Sequence, residues 1–178
     1  MNDDALSTED LQWLSDFQEQ LVAASEQEDI APKAKADNLC LLARVRTLQR
    51  SADQSIALYQ QALSLYRDSQ DIYGESHALC ELGWLIAQQG NLSDGISILR
   101  RSLSLFEQMR ISNGDKAKLL LRLGDLLSTQ HDCDVSETIA CLKGALEIYL
   151  QERSPHADMA KKKLNEVRNR FASRGYYR

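Results

Sequence analysis

The densest run of potential ligands in this 178-residue sequence is His131-Asp132-Cys133-Asp134, with Cys141 eight residues beyond Cys133. Imidazole, thiolate and carboxylate are zinc donors, but a closed zinc site takes four of them, usually as two close pairs, and no second pair exists. The run reads instead as a polar turn in which Asp134 caps the next helix. Other chemistry is no better supported. There is no Gly-rich phosphate loop, no HExxH and no GxSxG, and the only histidines are His77, His131 and His156. The expectation is a non-catalytic chain with no cofactor and no metal.

The four cysteines, Cys40, Cys80, Cys133 and Cys141, lie in or beside periodic apolar segments, without the spacing of a disulfide framework or a CxxC knuckle. Reduced thiols are expected. No window reaches the 18 or so apolar residues of a membrane span, and the first twenty residues are acidic where a signal peptide would be basic and then greasy. A cytoplasmic protein without membrane contact follows as the expectation. Hydrophobic residues make up 43% and charged residues 26%, with only 8 Gly and 2 Pro, which disfavours disorder and turn-rich β folds and leaves a mostly helical chain.

Candidate binding residues must sit on some scaffold, and the scaffold is written as a repeat. Small residues recur at Ala43, Gly83 and Gly124 and again at Ala62, Ser102 and Ala145, the latter each followed by leucine (Leu63, Leu103, Leu146). Tyr59, Leu99 and Leu142 stand three residues before that second small position. Leu79, Leu82, Gly83 and Ile86, like Leu120, Leu123, Gly124 and Leu127, follow the i, i+3, i+4, i+7 spacing of one helical stripe. Ile56, Tyr59, Ala62, Leu63 and Tyr66 repeat that period after a polar break at 50–53. Similar breaks fall at 90–93 and 131–134, so each unit is a helical hairpin. Gly inside a helix costs about 1 kcal/mol against Ala, and a close backbone crossing is the reason Gly83 and Gly124 are tolerated. Cys40 and Cys80 occupy equivalent positions, and one interhelix spacing of about 8 to 10 Å is too far for a disulfide.

Outside the hairpins, 6–30 reads as one amphipathic helix with Leu11, Leu14, Phe17 and Leu21 on its apolar face, entered through the capping cluster Ser7-Thr8-Glu9-Asp10. Pro155 opens a last helix, expected over 155–174, whose apolar face is Met159, Leu164, Val167 and Phe171. The hairpins occupy 34–69, 71–110 and 113–152 of a single expected domain, 1–178.

This pattern resembles the tetratricopeptide repeat in its longer form of about 40 to 42 residues, found in kinesin light chains and many bacterial signalling proteins. The resemblance rests on Leu82-Gly83 and Leu123-Gly124 in the first helices (Leu42-Ala43 in the first copy), on Gly90 in the turn, and on the small-Leu pairs late in the second helices. Where the family usually has Ala before an aliphatic residue, this chain has Ser55-Ile56, Gly95-Ile96 and Thr138-Ile139. It covers 35–152 directly. The fold it implies is all-α: a right-handed α-α superhelix, a TPR-like solenoid of three helical hairpins with N- and C-terminal capping helices.

The resemblance also implies a function. Ligands of the family lie along the concave face made by the first helix of each hairpin, which here presents Asp37, Cys40 and Arg44, then His77, Cys80 and Trp84, then Lys118, Leu121, Arg122 and Asp125. Trp84 follows the packed Gly83, so its ring either leans into the groove as a peptide anchor or folds against the neighbouring repeat as core. A subset of the family grips a C-terminal carboxylate of a heat-shock chaperone with five polar residues. Lys118 and Arg122 match its two basic members, whereas Cys40, Arg44 and Glu81 fill the other slots and Glu81 would repel the carboxylate. The implied role is an adaptor holding a partner peptide or helix. The alternatives are a chaperone for secreted bacterial proteins and a regulatory module that assembles with other subunits.

Net charge is −5, but it is unevenly spread. Residues 1–30 hold nine acids and no Lys or Arg, and residues 153–178 hold eight bases against two acids. Basic residues near the end of a capping helix suit its dipole, so no nucleic-acid partner is expected despite Phe171, Tyr176 and Tyr177 among them. The split raises weak head-to-tail self-association as one expectation. The competing and preferred one is that each end meets a different partner or only water.

Overall fold

The computed structural model describes residues 8–26, 30–130, 132 and 134–172. Among these are eight helices and no strand: α1 (Thr8–Ser25), α2 (Pro32–Leu48), α3 (Ala52–Asp68), α4 (Ile72–Gln88), α5 (Leu92–Met109), α6 (Gly114–Thr129), α7 (Val135–Gln151) and α8 (Ala157–Ala172). Ser7, His131, Cys133, Gly175, Tyr176 and Tyr177 lie outside the described residues, as do the side chains of Leu11 and Leu14. The chain parts into two compact units, Met1–Ala78 and Leu79–Arg178, with the division inside α4.

The boundaries follow from local chemistry that repeats with the helices. Arg50, Gln70, Gly90 and Arg110 all adopt positive φ, 20 residues apart, and Arg153 does so again after α7. At each, two backbone bonds close the helix end, as in Gln70 N–H to Arg67 O at 3.0 Å and Asp71 N–H to Tyr66 O at 2.8 Å. These are the paired bonds of a Schellman cap. Side-chain caps open the helices that follow: Asp71, Asn91, Asn113 and Asp134 each accept the N–H three residues on, from Gly74, Asp94, Lys116 and Glu137. The cap expected of Asp134 is therefore present. Pro155, expected to open the last helix, lies in the turn before it. The α7 cap runs through Ser154, whose N–H bonds Tyr149 O, so the chain turns at Pro155 and His156 before α8 starts.

In the first unit α1 packs on α2, and α2 pairs with α3. Ala36, Ala43 and Ala62 are fully buried. Where Ala43 meets Ser55, the serine hydroxyl donates to the Ala43 carbonyl at 2.8 Å, so the buried polar residue at this crossing has its hydrogen bond satisfied. Leu21 is buried beneath α1, whereas Trp13 is 62% exposed and stacks on Phe17 with centroids 5.3 Å apart. The Tyr66 ring lies so close to Gly74 that a Cβ there would sit 2.3 Å from it.

In the second unit the core is built from Leu99, Phe106, Leu119, Leu123, Leu127 and Leu142, with Leu164, Val167 and Phe171 of α8 sealed against it. Full burial of such side chains contributes roughly 1.5 to 3 kcal/mol each. The crossings expected at Gly83 and Gly124 are both close. A Cβ on Gly83 would lie 3.0 Å from the Gly95 carbonyl oxygen, and one on Gly124 would lie 2.7 Å from Leu142. Arg100 clamps Glu137 through two bonds of 2.9 and 2.6 Å, tying α5 to the start of α7.

Candidate functional site

The second unit holds an open groove of about 630 Å3, and one stripe of α6 forms its floor: Asp115, Lys118, Leu121, Arg122 and Asp125. Those positions step by three or four, so a helix presents them on one face. From Asp115 to Asp125 the stripe runs about 15 Å, the length of four or five extended residues. Trp84 of α4 makes one wall; Tyr149, Glu152, Ser154 and His156 make the other with Met159 and Lys163 of α8.

Five of the residues named from sequence thus meet here: Trp84, Lys118, Leu121, Arg122 and Asp125. Cys80 belongs to the same unit but is buried and takes a hydrogen bond from Arg122 at 3.5 Å. Burial pushes its thiol up to about 11 despite the opposing charge of Arg122. Asp37, Cys40, Arg44 and His77 belong to the first unit. There Asp37 accepts the Tyr66 hydroxyl at 2.7 Å, Cys40 is buried against the same hydroxyl, Arg44 is exposed, and His77 is half-buried. Tyr149, Glu152, His156 and Met159 were not legible as a site, because they come from the end of α7, a turn and α8, outside the first helices to which the family pattern points.

Trp84 lies in the groove lining and against the core cluster at once. It is half-buried and carries the Arg122 guanidinium 5.2 Å above its ring. A cation over an indole face contributes roughly 0.5 to 2 kcal/mol. Arg122 is held a second time by Glu81, at 3.1 Å, and Glu81 also accepts from Lys118 at 2.5 Å. Glu81 therefore sits between the two cations that would grip a carboxylate and takes both. Lys163 is occupied in the same way by Asp125, at 2.5 Å.

Among the described residues no group of three His, Cys, Asp or Glu side chains is placed to hold a metal ion, and no helix is long and apolar enough to cross a membrane.

No protein-family model matches the sequence, and no curated protein does. Solved structures do match. BtubC (BKLC) from P. vanneervenii is similar with a TM-score of 0.74 at 17% identity, over 88% of this chain. This chain spans 64% of that protein's length. Two structures named for a kinesin light chain with nearly identical TPR-like repeats, from Podosopora anserina, match with TM-scores of 0.72 and 0.70 at 10% identity. Each match covers 93% of this chain, and 80% and 81% of those chains respectively. At such identities the likeness speaks for the fold: the chain is an all-α, tetratricopeptide-like repeat protein.

Proposed function

We propose that this tetratricopeptide-like chain is a non-catalytic adaptor that holds a peptide or helix of a protein partner along α6. The observation that carries the reading is the groove itself, large enough for several residues and walled by a half-buried Trp84 and an exposed Met159 around Leu121. Amphipathic aromatic side chains of this kind are the usual anchors of protein interfaces. The carboxylate-gripping variant of the reading has no support in the geometry, because Glu81 holds both Lys118 and Arg122.

Selection of binding peptides from a random displayed library, followed by calorimetry of the winners against wild type and Trp84→Ala, tests the proposal. The expected result is selection of a consistent motif whose affinity falls about tenfold or more in Trp84→Ala, in the range of an interface hot spot. A motif bound equally well by the variant would remove the groove as the binding site. The melting temperature of Trp84→Ala separates the two duties of the ring, since a purely core role predicts a large drop with binding of the surviving folded fraction intact.

A further inference from the structure

One end of the groove has an electrostatic character that its middle lacks. Tyr149 is only 4% exposed, yet its hydroxyl makes no hydrogen bond to any described residue. Every described side-chain oxygen or nitrogen that is sealed from solvent does have a partner, so this hydroxyl opens on the groove that the residue lines. Its ring packs against His156, with centroids 5.6 Å apart and planes tilted by 55°. A phenol so placed meets only solvent while the groove is empty, and is available to a ligand that displaces it.

The surroundings of that hydroxyl decide the ligand's charge. Glu152 follows α7, and one of its carboxylate oxygens lies 3.0 Å from where a Cβ on Gly114 would stand, over the first turn of α6. Asp115 is the next residue of that turn, and both carboxylates line the groove with the phenol. Burial raises the Tyr149 pKa most; Arg122 opposes it, and Cys80, then Glu152 and Asp115, add to the rise. Glu152 forms no ion pair with a described residue. The groove's three cations are each already held by a carboxylate, Lys118 and Arg122 by Glu81 and Lys163 by Asp125. An anion arriving here would meet the Glu152 carboxylate, while the groove's cations are already committed.

We infer that the Tyr149 end of the groove receives a cation, the ammonium or guanidinium of a lysine or arginine in the bound peptide. The phenol oxygen accepts one N–H and the Glu152 carboxylate another, while Asp115 adds to the field. Apolar residues on either side of that basic residue pack on Leu121, Met159 and Trp84. This inference rests on the groove reading proposed above and narrows its ligand to basic, amphipathic sequences.

The test is calorimetry of the full chain with three short peptides, N-acetylated and C-amidated, identical in their leucine and serine residues and differing only in a central lysine, glutamine or glutamate. Partly exposed charge pairs contribute up to about 1 kcal/mol each, so the lysine peptide is expected to bind about tenfold tighter than the glutamate peptide. Glu152→Gln should shrink that preference to about twofold, and Tyr149→Phe should weaken the lysine peptide but not the glutamine peptide, both with helix content unchanged by circular dichroism. A glutamate or glutamine peptide that binds as well as the lysine peptide, or a preference that survives Glu152→Gln, overturns the inference. In that case binding that still requires Trp84 leaves the groove reading standing. Failure of all three peptides to bind, or binding indifferent to Trp84→Ala, overturns both.

Discussion

Gly95 faces Gly83 across the α4–α5 hairpin so closely that a methyl on Gly95 would lie 2.7 Å from the Gly83 carbonyl oxygen and 2.6 Å from the Ala87 Cβ. Both obstacles are rigid, so the helices must part to admit a side chain. Gly95→Ala should cost about 1 to 3 kcal/mol, the usual penalty of overpacking, despite alanine's better helix propensity. Gly144→Ala is the control, because its methyl would meet only the end of the flexible Leu120 side chain, at 3.2 Å. That change should be neutral or stabilising by up to about 1 kcal/mol. Urea unfolding of the two variants gives the comparison, and equal effects would mean that the hairpin is looser than described.

Gly90 presents the opposite case. Nothing would touch an added methyl there, but its φ is +95°. Gly90→Ala is therefore expected to lose about 1 kcal/mol through backbone strain alone. Gln70 holds the equivalent turn at φ 56° without being glycine. Gln70→Gly should gain about 0.5 to 1 kcal/mol, the relief of the left-handed conformation less the entropy that glycine adds to the unfolded chain. Thermal melts with opposite shifts for the two variants would bear this out, and shifts of the same sign would refute it.

Removing the charge of Glu81 leaves Lys118 and Arg122 without their shared carboxylate. Glu81→Gln is expected to cost about 1 to 3 kcal/mol of stability, since Arg122 is largely enclosed. The same change should raise affinity for a peptide ending in a free carboxylate, because two cations become available in the groove. Calorimetry with such a peptide at low salt reads the gain. No gain would show that the cations point away from the ligand.

The pH dependence of stability should have an acid limb that passes through Asp71. Burial raises its pKa, but the Gly74 N–H, the Lys33 ammonium and the Tyr73 N–H together bring it below the usual 3.8. A carboxyl whose folded pKa is depressed stabilises the fold above its unfolded pKa, near 4, and loses that contribution as pH falls through the lower folded value. Asp71→Asn should therefore unfold at lower urea than wild type at neutral pH, with the gap closing as pH falls through the lowered folded-state pKa. A gap independent of pH would assign the effect to the lost cap alone.

The hairpins were legible because close helix crossings admit only small residues, and Gly83, Gly124, Ala62, Ser102 and Ala145 carry that constraint in one-dimensional spacing. The caps were only partly legible. Gly90 marks its turn by residue type, whereas Arg50, Gln70, Arg110 and Arg153 adopt the same left-handed conformation with side chains that do not advertise it. Gly74 was passed over because its neighbour, Tyr66, reaches it from the preceding helix, a contact no local pattern encodes. Half of the expected groove residues converge in one groove, since Lys118, Leu121, Arg122 and Asp125 share a helical stripe. Tyr149, Glu152 and His156 were invisible because turn and helix-end residues have no period to betray their direction.

The left-handed residues at 50, 70, 90 and 110 make helix-plus-turn a fixed-length tile of 20 residues, whatever side chain fills the bend. Engineering of this chain inherits that arithmetic. A single residue inserted in mid-helix rotates everything after it by about 100° and drives the apolar stripe off its seam before the next bend can correct it. Duplicating a whole block of two tiles, such as 51–90, keeps every stripe, crossing and cap in phase. Across 51–110, lengthening is therefore tolerated in steps of two tiles and refused by single residues placed in mid-helix, whereas the stretch from 111 to 153 takes up its three extra residues outside that tiling.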